Sequence, residues 1–348
     1  MVGTAMRLTE DDARAIVGLA ALAPSIHNTQ PWRWQLDATG LHLFADPARL
    51  LPVVDPEGRQ LLLSCGATLT FARLAARSRG LAVEVVLSDL DETTCPPPAD
   101  EPLALLRVTG RRPADPAEAD LVAAMSSRHT DRRPFIAGER GRLGPDDVTA
   151  LRRAAEASSA WAWFVDDTDS RIATSVLLSR ADWHESRDPA YAEELRSWRR
   201  DSSAAADGIP PSAVEVAPAD RQSEFVLRDF AVPGNGVGDG AAAGAEGAAR
   251  QVERPTVVAI GTDADRPVDW LLAGGATGLV MLAATVRGLA ASPLGQVIDL
   301  DASREQLRSV IGSSGHVQML LRLGRPDPAL PPLPATPRRG VDEILEIT

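Results

Sequence analysis

The chain has 348 residues, 44% of them hydrophobic, so it can bury a large core and is long enough for two domains or one elaborate one. A net charge of -12 and a pI near 5.0 exclude the broad basic face that nucleic-acid binding needs, so any anion site must be local. Cys65 and Cys95 lie far apart, with no CxxC or Cys/His cluster, which excludes a disulfide framework and a structural zinc site and sets the metal expectation at none.

The chain opens with "MVGTAMRLTEDDARAI", acidic where a signal peptide would carry a basic flank, and no later apolar run reads as long enough to span a bilayer. The expectation is a cytoplasmic protein with no membrane partner. "LTEDDARAIVGLAALA" (8 to 23) predicts a helix, with a Thr9 cap, an acidic first turn and a stop at Pro24. "WRWQLDATGLHLFAD" (32 to 46) alternates apolar and polar residues around a glycine turn and predicts a β-hairpin. Further strands are expected at 81 to 87, 103 to 109, 161 to 165, 255 to 261 and 317 to 324, with helical patterns between them.

Proline and glycine mark the joints. "TTCPPPADEP" (93 to 102) reads as a stiff surface connection and "RRPADPAEAD" (111 to 120) as a passage between halves. The Gly-, Ala- and Pro-rich stretches between 207 and 249 are too weakly patterned for core and read as loop, linker or lid.

An internal repeat organises the rest. Without gaps, "LSCGATLTFARLAARSRGLA" (63 to 82) matches "LLAGGATGLVMLAATVRGLA" (271 to 290) at nine of 20 positions. Each copy reads as an apolar helix ending at a glycine, with Gly66 or Gly274 early in the helix, where a small residue permits close approach. Two such helices packed across a pseudo-twofold axis would make one chain behave as a fused dimer.

"SSRHTDRRPF" (126 to 135) then places Arg128, His129, Arg132 and Arg133 within six residues of an otherwise acidic protein. Guanidinium forks suit bidentate phosphate binding, and Thr130 adds a hydroxyl donor. A solvated, charged helix end is the plainer alternative.

With these residues in view, the chain resembles the FMN-dependent nitroreductase superfamily, and within it the single-chain Acg-type subgroup. The likeness rests on "APSIHNTQPWRW", "SSRHTDRRPF", "GLAASPLGQ" (288 to 296) and the ending "LRLGRP" plus "PRRGVDEIL", spread from residue 23 to residue 345. The resemblance implies an α+β, nitroreductase-like fold in which antiparallel sheets flanked by helices form a pseudo-dimer of two related halves. These would be a shortened half at 1 to 110 and a second half at 121 to 348, the latter with a lid or irregular insertion at about 184 to 250. FMN would lie between them, held through Arg128, Thr130 and Arg132 at its phosphate and ring edge. Arg338 or Arg339 would complete the phosphate site. The loop Ala291, Ser292, Pro293, Leu294 and Gly295 would present backbone to the ring. The other half would contribute Pro24, Ser25, Ile26, His27 and Asn28.

The first half carries "APSIHNTQPW" without an Arg-x-Ser-x-Arg before it, and the second carries "RHTDRR" with only a faint echo, "AAEASSAWAWFV" (154 to 165), of the other motif. The halves read as specialised, which predicts one intact FMN site per chain. Among residues with a plainer reading, Trp32 and Trp34 share a strand face and suit core packing, and His27 can simply cap a turn. Gln30 can satisfy backbone groups, and Cys65 is expected to be buried. His184 and His316 have no sequence partner for a triad, and "GNGVGDG" (234 to 240) follows no strand.

The resemblance further implies NAD(P)H as co-substrate and a small electron acceptor, nitroaromatic or quinone, as partner. No protein nucleophile or other catalytic side chain is expected; Arg132 is the candidate for an electrostatic role at the ring. The alternative is a flavin-binding protein that stores or sequesters FMN with little turnover. The assembly expected is a monomer with an internal pseudo-dimer, or a weak homo-oligomer.

Overall fold

The computed structural model describes residues 7–90, 95–202, 204–211, 221–227 and 251–348. The "GNGVGDG" run and most of the Gly/Ala-rich stretch lie outside the described residues.

The first half begins with α1 (Glu10–Ala20), which Thr9 caps by accepting from the Asp12 N–H, and which stops three residues short of the expected end. β1 (Trp32–Leu36) and β2 (Leu41–Ala45) then form the expected hairpin, pairing Trp32 with Ala45 through to Leu36 with Leu41. Their burial alternates along both strands, as one face covered by helices requires. α2 (Arg59–Ser78), β3 (Leu81–Leu87) and β4 (Pro102–Arg111) follow. Asp55 caps α2 by accepting from the Gln60 and Leu61 N–H groups, and burial pushes its carboxyl up to about 7.

The segment expected to be a bare passage between halves instead turns helical at Pro116. α3 (Pro116–Ala124) is capped by Asp115, and the Arg-rich loop follows it. α4 (Pro145–Glu156), β5 (Trp161–Phe164), α5 (Thr168–Glu185) and α6 (Pro189–Trp198) come next. The stretch expected to be irregular from about 184 therefore begins with the end of one helix and a second one, because Asp188 caps α6 and proline fixes its first position. Two short strands, β6 (Arg221–Ser223) and β7 (Gln251–Glu253), pair in parallel. β8 (Thr256–Thr262), α7 (Pro267–Val286), β9 (Ala290–Pro293), α8 (Gln296–Asp299), α9 (Asp301–Val310) and β10 (His316–Gly324) complete the second sheet. The chain ends with α10 (Val341–Ile344) and β11 (Leu345–Ile347).

Two sheets result, in the orders β11-β1-β2-β4-β3 and β5-β8-β10-β9. Apart from β11, both have the same plan. The run α1-β1-β2-α2-β3-β4 of the first is repeated as α4-β5-β8-α7-β9-β10 in the second, all strand pairs antiparallel. β11 runs parallel to β1, so the last residues of the chain belong to the first sheet. Trp32 and Trp34 are buried in the first core with Cys65, as their shared strand face predicted. β8 and β10 are buried on both faces, with α4 and α7 on one side and α5, α8 and α9 on the other.

α2 and α7, the repeated helices, pack against each other. At their crossing a Cβ added to Gly66 would lie 1.8 Å from the Leu271 carbonyl oxygen, and one added to Gly274 would lie 1.9 Å from that of Leu63. These contacts are reciprocal, since Leu63 aligns with Leu271 and Gly66 with Gly274 in the repeat. α7 corrects one expectation: over 20 residues its length and composition would allow it to cross a membrane, yet 78% of its most apolar window is buried within the fold.

The crossing tolerates no side chain. Gly66→Ala or Gly274→Ala is expected to lower the unfolding free energy by about 1–3 kcal/mol or more, as overpacking does. Gly110→Ala, where a Cβ meets nothing within 4 Å, serves as the control in the same urea titrations, with a change within about 0.5 kcal/mol. The double variant Gly66→Ala/Gly274→Ala should lose less than the sum of the two, because both open one contact.

Candidate cofactor site

Ser25 to Gln30 forms a strained turn. His27, Asn28 and Gln30 have φ of 46°, 55° and 50°, a left-handed backbone that costs a non-glycine residue about 1–3 kcal/mol unless its surroundings fix it. The polar side chains of the motif supply that fixing. Ser25 Oγ accepts from the Gln30 N–H at 3.1 Å, and Ser64 Oγ on α2 accepts from the Ile26 N–H at 3.2 Å. Asn28 Nδ2 donates to the Gly208 and Pro337 carbonyls, and Gln30 Nε2 donates to Ala206. Gln30 Oε1 accepts from the Arg339 N–H at 2.9 Å. Gln30 thus does satisfy backbone groups, and Asn28, expected to face a ligand, spends its amide on stapling two distant segments to the turn.

The Arg-rich loop is anchored from the opposite side. Thr130 forms a parallel bridge with Ala291, and the Asp131 N–H donates to the Ala291 carbonyl at 3.0 Å. Arg322 on β10 is fully buried, pairs with Glu253 and lies 4.0 Å from the Phe135 ring centroid. Arg133 forms a two-pronged pair with Asp131, at 2.9 and 2.8 Å.

Between the turn and this loop lie two adjoining cavities. The first has walls of Leu63, Ala67, Gly274, Thr277, Met281 and Met319, with Ser292, Pro293, Leu294 and Gly295 along one side. Gln60, Gln296 and Asp299 form a polar group on its wall, where Gln60 Nε2 donates to Asp299 at 2.7 Å. The second is lined by Arg128, His129, Arg338, Asn28, Gly208 and Thr336 among others. Pro24, Ser25, His27, Thr130 and Arg132 line both.

Charge dominates the second cavity. Arg128 is 7% exposed; its Nε and Nη1 have no hydrogen-bond partner among the described residues, and its Nη2 reaches only the Leu22 carbonyl, at 3.4 Å. Burial, reinforced by the neighbouring Arg338, pushes its pKa down to about 9. Burial likewise lowers Arg338 to about 10, and its guanidinium meets only backbone carbonyls, among them Ala21 and Thr336. His129 is lowered by burial and by both arginines. Two desolvated cations without a carboxylate partner among the described residues form a site that an anion completes. The lining suits a flat apolar body carrying a phosphate, with apolar walls in the first cavity and buried guanidinium groups in the second.

No protein-family model matches the chain. It is 33% identical over 339 residues to "Putative NAD(P)H nitroreductase Rv3131" of Mycobacterium tuberculosis H37Rv, spanning 97% of this chain and 91% of the relative. The chain belongs to this nitroreductase family. "Putative NAD(P)H nitroreductase acg" of the same organism is 31% identical over 357 residues, 98% of this chain and 97% of that one. Among solved structures, a "putative nitroreductase" from Anabaena variabilis gives a TM-score of 0.45 at 10% identity, covering 92% of this chain and 90% of its own. A Bacteroides fragilis nitroreductase with bound FMN gives 0.36 at 13% identity, covering 61% and 90%.

In this family member the expected site residues converge, with two departures. Pro24, Ser25, Ile26, His27, Asn28, Arg128, Thr130, Arg132, Ser292, Pro293, Leu294, Gly295 and Arg338 all line the cavities. Ala291 does not, because its backbone is engaged by Thr130 and Asp131. Of the Arg338 and Arg339 alternatives, only Arg338 faces the cavity. Arg339 turns to the Gln30 and Trp32 carbonyls and lies 3.7 Å from Asp46. Sequence reading missed Gln60, Leu63, Ala67, Thr277 and Met281, although the repeated helices that carry them were recognised. It also missed Leu333, Pro334 and Thr336, which have no periodic pattern to signal them.

Arg128→Met keeps the bulk of the side chain and removes its charge. The ligand-free variant is expected to be about 1–3 kcal/mol more stable than the parent. Thermal unfolding with and without inorganic phosphate should show the parent stabilised by phosphate and the variant indifferent to it. The charged guanidinium is the binding form, so the phosphate effect falls as pH rises through about 9, the depressed pKa of Arg128.

Proposed function

We propose that this chain is an FMN-dependent oxidoreductase that passes electrons from NAD(P)H through the flavin to a small acceptor of the nitroaromatic or quinone type. The buried Arg128 and Arg338, with Arg128 donors that have no partner among the described residues, in a cavity that adjoins an apolar one, carry this reading. The relatives named for NAD(P)H nitroreductase activity support it.

Arg128 and Arg338 would hold the phosphate, with Thr130 able to add a hydroxyl donor. Leu63, Ala67, Met281 and the Ser292 to Gly295 loop would enclose the ring system and exclude water from it. Bound there, FMN supplies the hydride and electron chemistry. Arg132, which lines both cavities, would set a fixed positive charge beside the ring and favour negative charge developing on it. In this reading residues 1 to 110 and 121 to 348, the latter lending β11 to the first sheet, act as two halves of a pseudo-dimer that share one site.

One observation favours the alternative of flavin sequestration. Gly208, Ile209 and Pro210 line the cationic cavity, and Asn28 exchanges hydrogen bonds with Gly208 in both directions, covering the phosphate end. Steady-state NAD(P)H oxidation with a quinone acceptor separates the two readings: turnover supports the oxidoreductase, and a bound, unreactive flavin supports sequestration.

Purified protein loaded with flavin is expected to carry one FMN per chain, by absorbance and chromatographic identification of the released chromophore. Arg132→Ala should retain FMN but lower both its reduction potential and turnover with NAD(P)H. A potential and rate equal to the parent's would remove the role assigned to Arg132.

A further inference from the structure

We propose that the open groove between the end of α5 and the start of α9 docks the adenosine diphosphate portion of a nicotinamide dinucleotide; this rests on the reading of the inner cavity as the place where that co-substrate reacts. The groove shares Asp299 with the inner cavity, so the two spaces meet at one side chain. α5 ties them a second time. Asp182 accepts from Gln296 of the cavity wall at 3.3 Å, and the next residue, Trp183, lies in the groove.

The groove has the chemistry of a nucleotide site. The Trp183 indole is 52% exposed, a large aromatic surface left to solvent. The Arg187 guanidinium lies 4.5 Å from its ring centroid, and the His184 ring meets it edge-on at 5.1 Å. An indole stacked with a guanidinium offers flat faces of the kind that bind bases. Arg180 and Arg187 have no carboxylate partner among the described residues. The groove's acids are otherwise occupied. Asp188 caps α6, Asp299 accepts from Gln60, Asp301 lies 3.6 Å from Arg304, and Glu185 is largely buried. The two arginines are therefore available to a diphosphate beside a surface for its base, and an apolar partner alone would have no use for them.

The test uses the full chain loaded with FMN and ADP-ribose, which lacks nicotinamide, as the calorimetric probe. ADP-ribose should bind the parent, and Trp183→Ala and Arg180→Ala/Arg187→Ala should each weaken it by about tenfold or more. The same variants should raise the KM for NAD(P)H by a like factor with kcat unchanged. Kinetics with reduced nicotinamide mononucleotide, which has no adenosine, should not change. Absence of ADP-ribose binding, binding indifferent to the substitutions, or pyrophosphate binding as tight as that of ADP-ribose would each overturn the proposal. Flavin reduced equally well by the mononucleotide and the dinucleotide would overturn it while leaving the oxidoreductase reading in place. ADP-ribose binding that the variants abolish, in a protein whose flavin no nicotinamide reduces, would support the groove and reject that reading.

Discussion

The contact of α2 with α7 at Gly66 and Gly274 governs the geometry of everything around it. Backbone meets backbone there, so the helices lie closer than any side chain would allow. The apolar cavity opens beside this crossing, with Leu63 and Ala67 on one wall and Gly274, Thr277 and Met281 on the other. Its width is set by the same two glycines that hold the sheets together. A methyl group at either position would change stability and cavity shape in one step, which makes the pair a constraint on fold and site alike.

The sequence showed the framework where local chemistry and long-range packing agree. The hairpin was legible because Trp32, Trp34, Leu41 and Leu43 alternate in step with a one-sided sheet, and α2 and α7 because each copy of the repeat has the same glycine facing the other. Orientation was less legible than position. Arg338 and Arg339 are adjacent and chemically alike, yet the tail places one at the cavity and the other against Gln30 and Asp46. Arg133 looked equivalent to Arg128 and is instead paired by Asp131, two residues away. That α7 is long and apolar enough to cross a bilayer was not legible, because its many Gly and Ala residues blur the apolar pattern.

The site is held in a costly arrangement by parts of the chain remote from it. Three left-handed non-glycine residues and two desolvated guanidinium groups oppose folding locally. Offsetting them are the staples from Ala206, Gly208, Pro337 and Arg339, and the buried Arg322 beneath the Arg-rich loop. The polar motif "SIHNTQ" therefore serves mainly to shape a cavity whose charge comes from elsewhere. An anion at Arg128 and Arg338 would relieve part of the cost, which couples ligand binding to stability directly.

The repeat raises the question of why only one such cavity is present among the described residues where two equivalent helices cross. The counterparts of Leu63, Ala67, Gly274 and Thr277 are Leu271, Gly275, Gly66 and Leu69. Leu69 and Leu271 lie in the first core together with Leu121, Val122, Ala124 and Met125, from α3 and its end. Gly275 is closed in by the Ser158 hydroxyl, which donates to Leu272. The equivalent position is thus packed with side chains. α3 leads within four residues into Arg128, whose guanidinium lines the other position. A single connecting segment fills one of the two related positions and supplies Arg128 to the other, where the C-terminal tail adds Arg338, so two sheets of one plan frame a single asymmetric site.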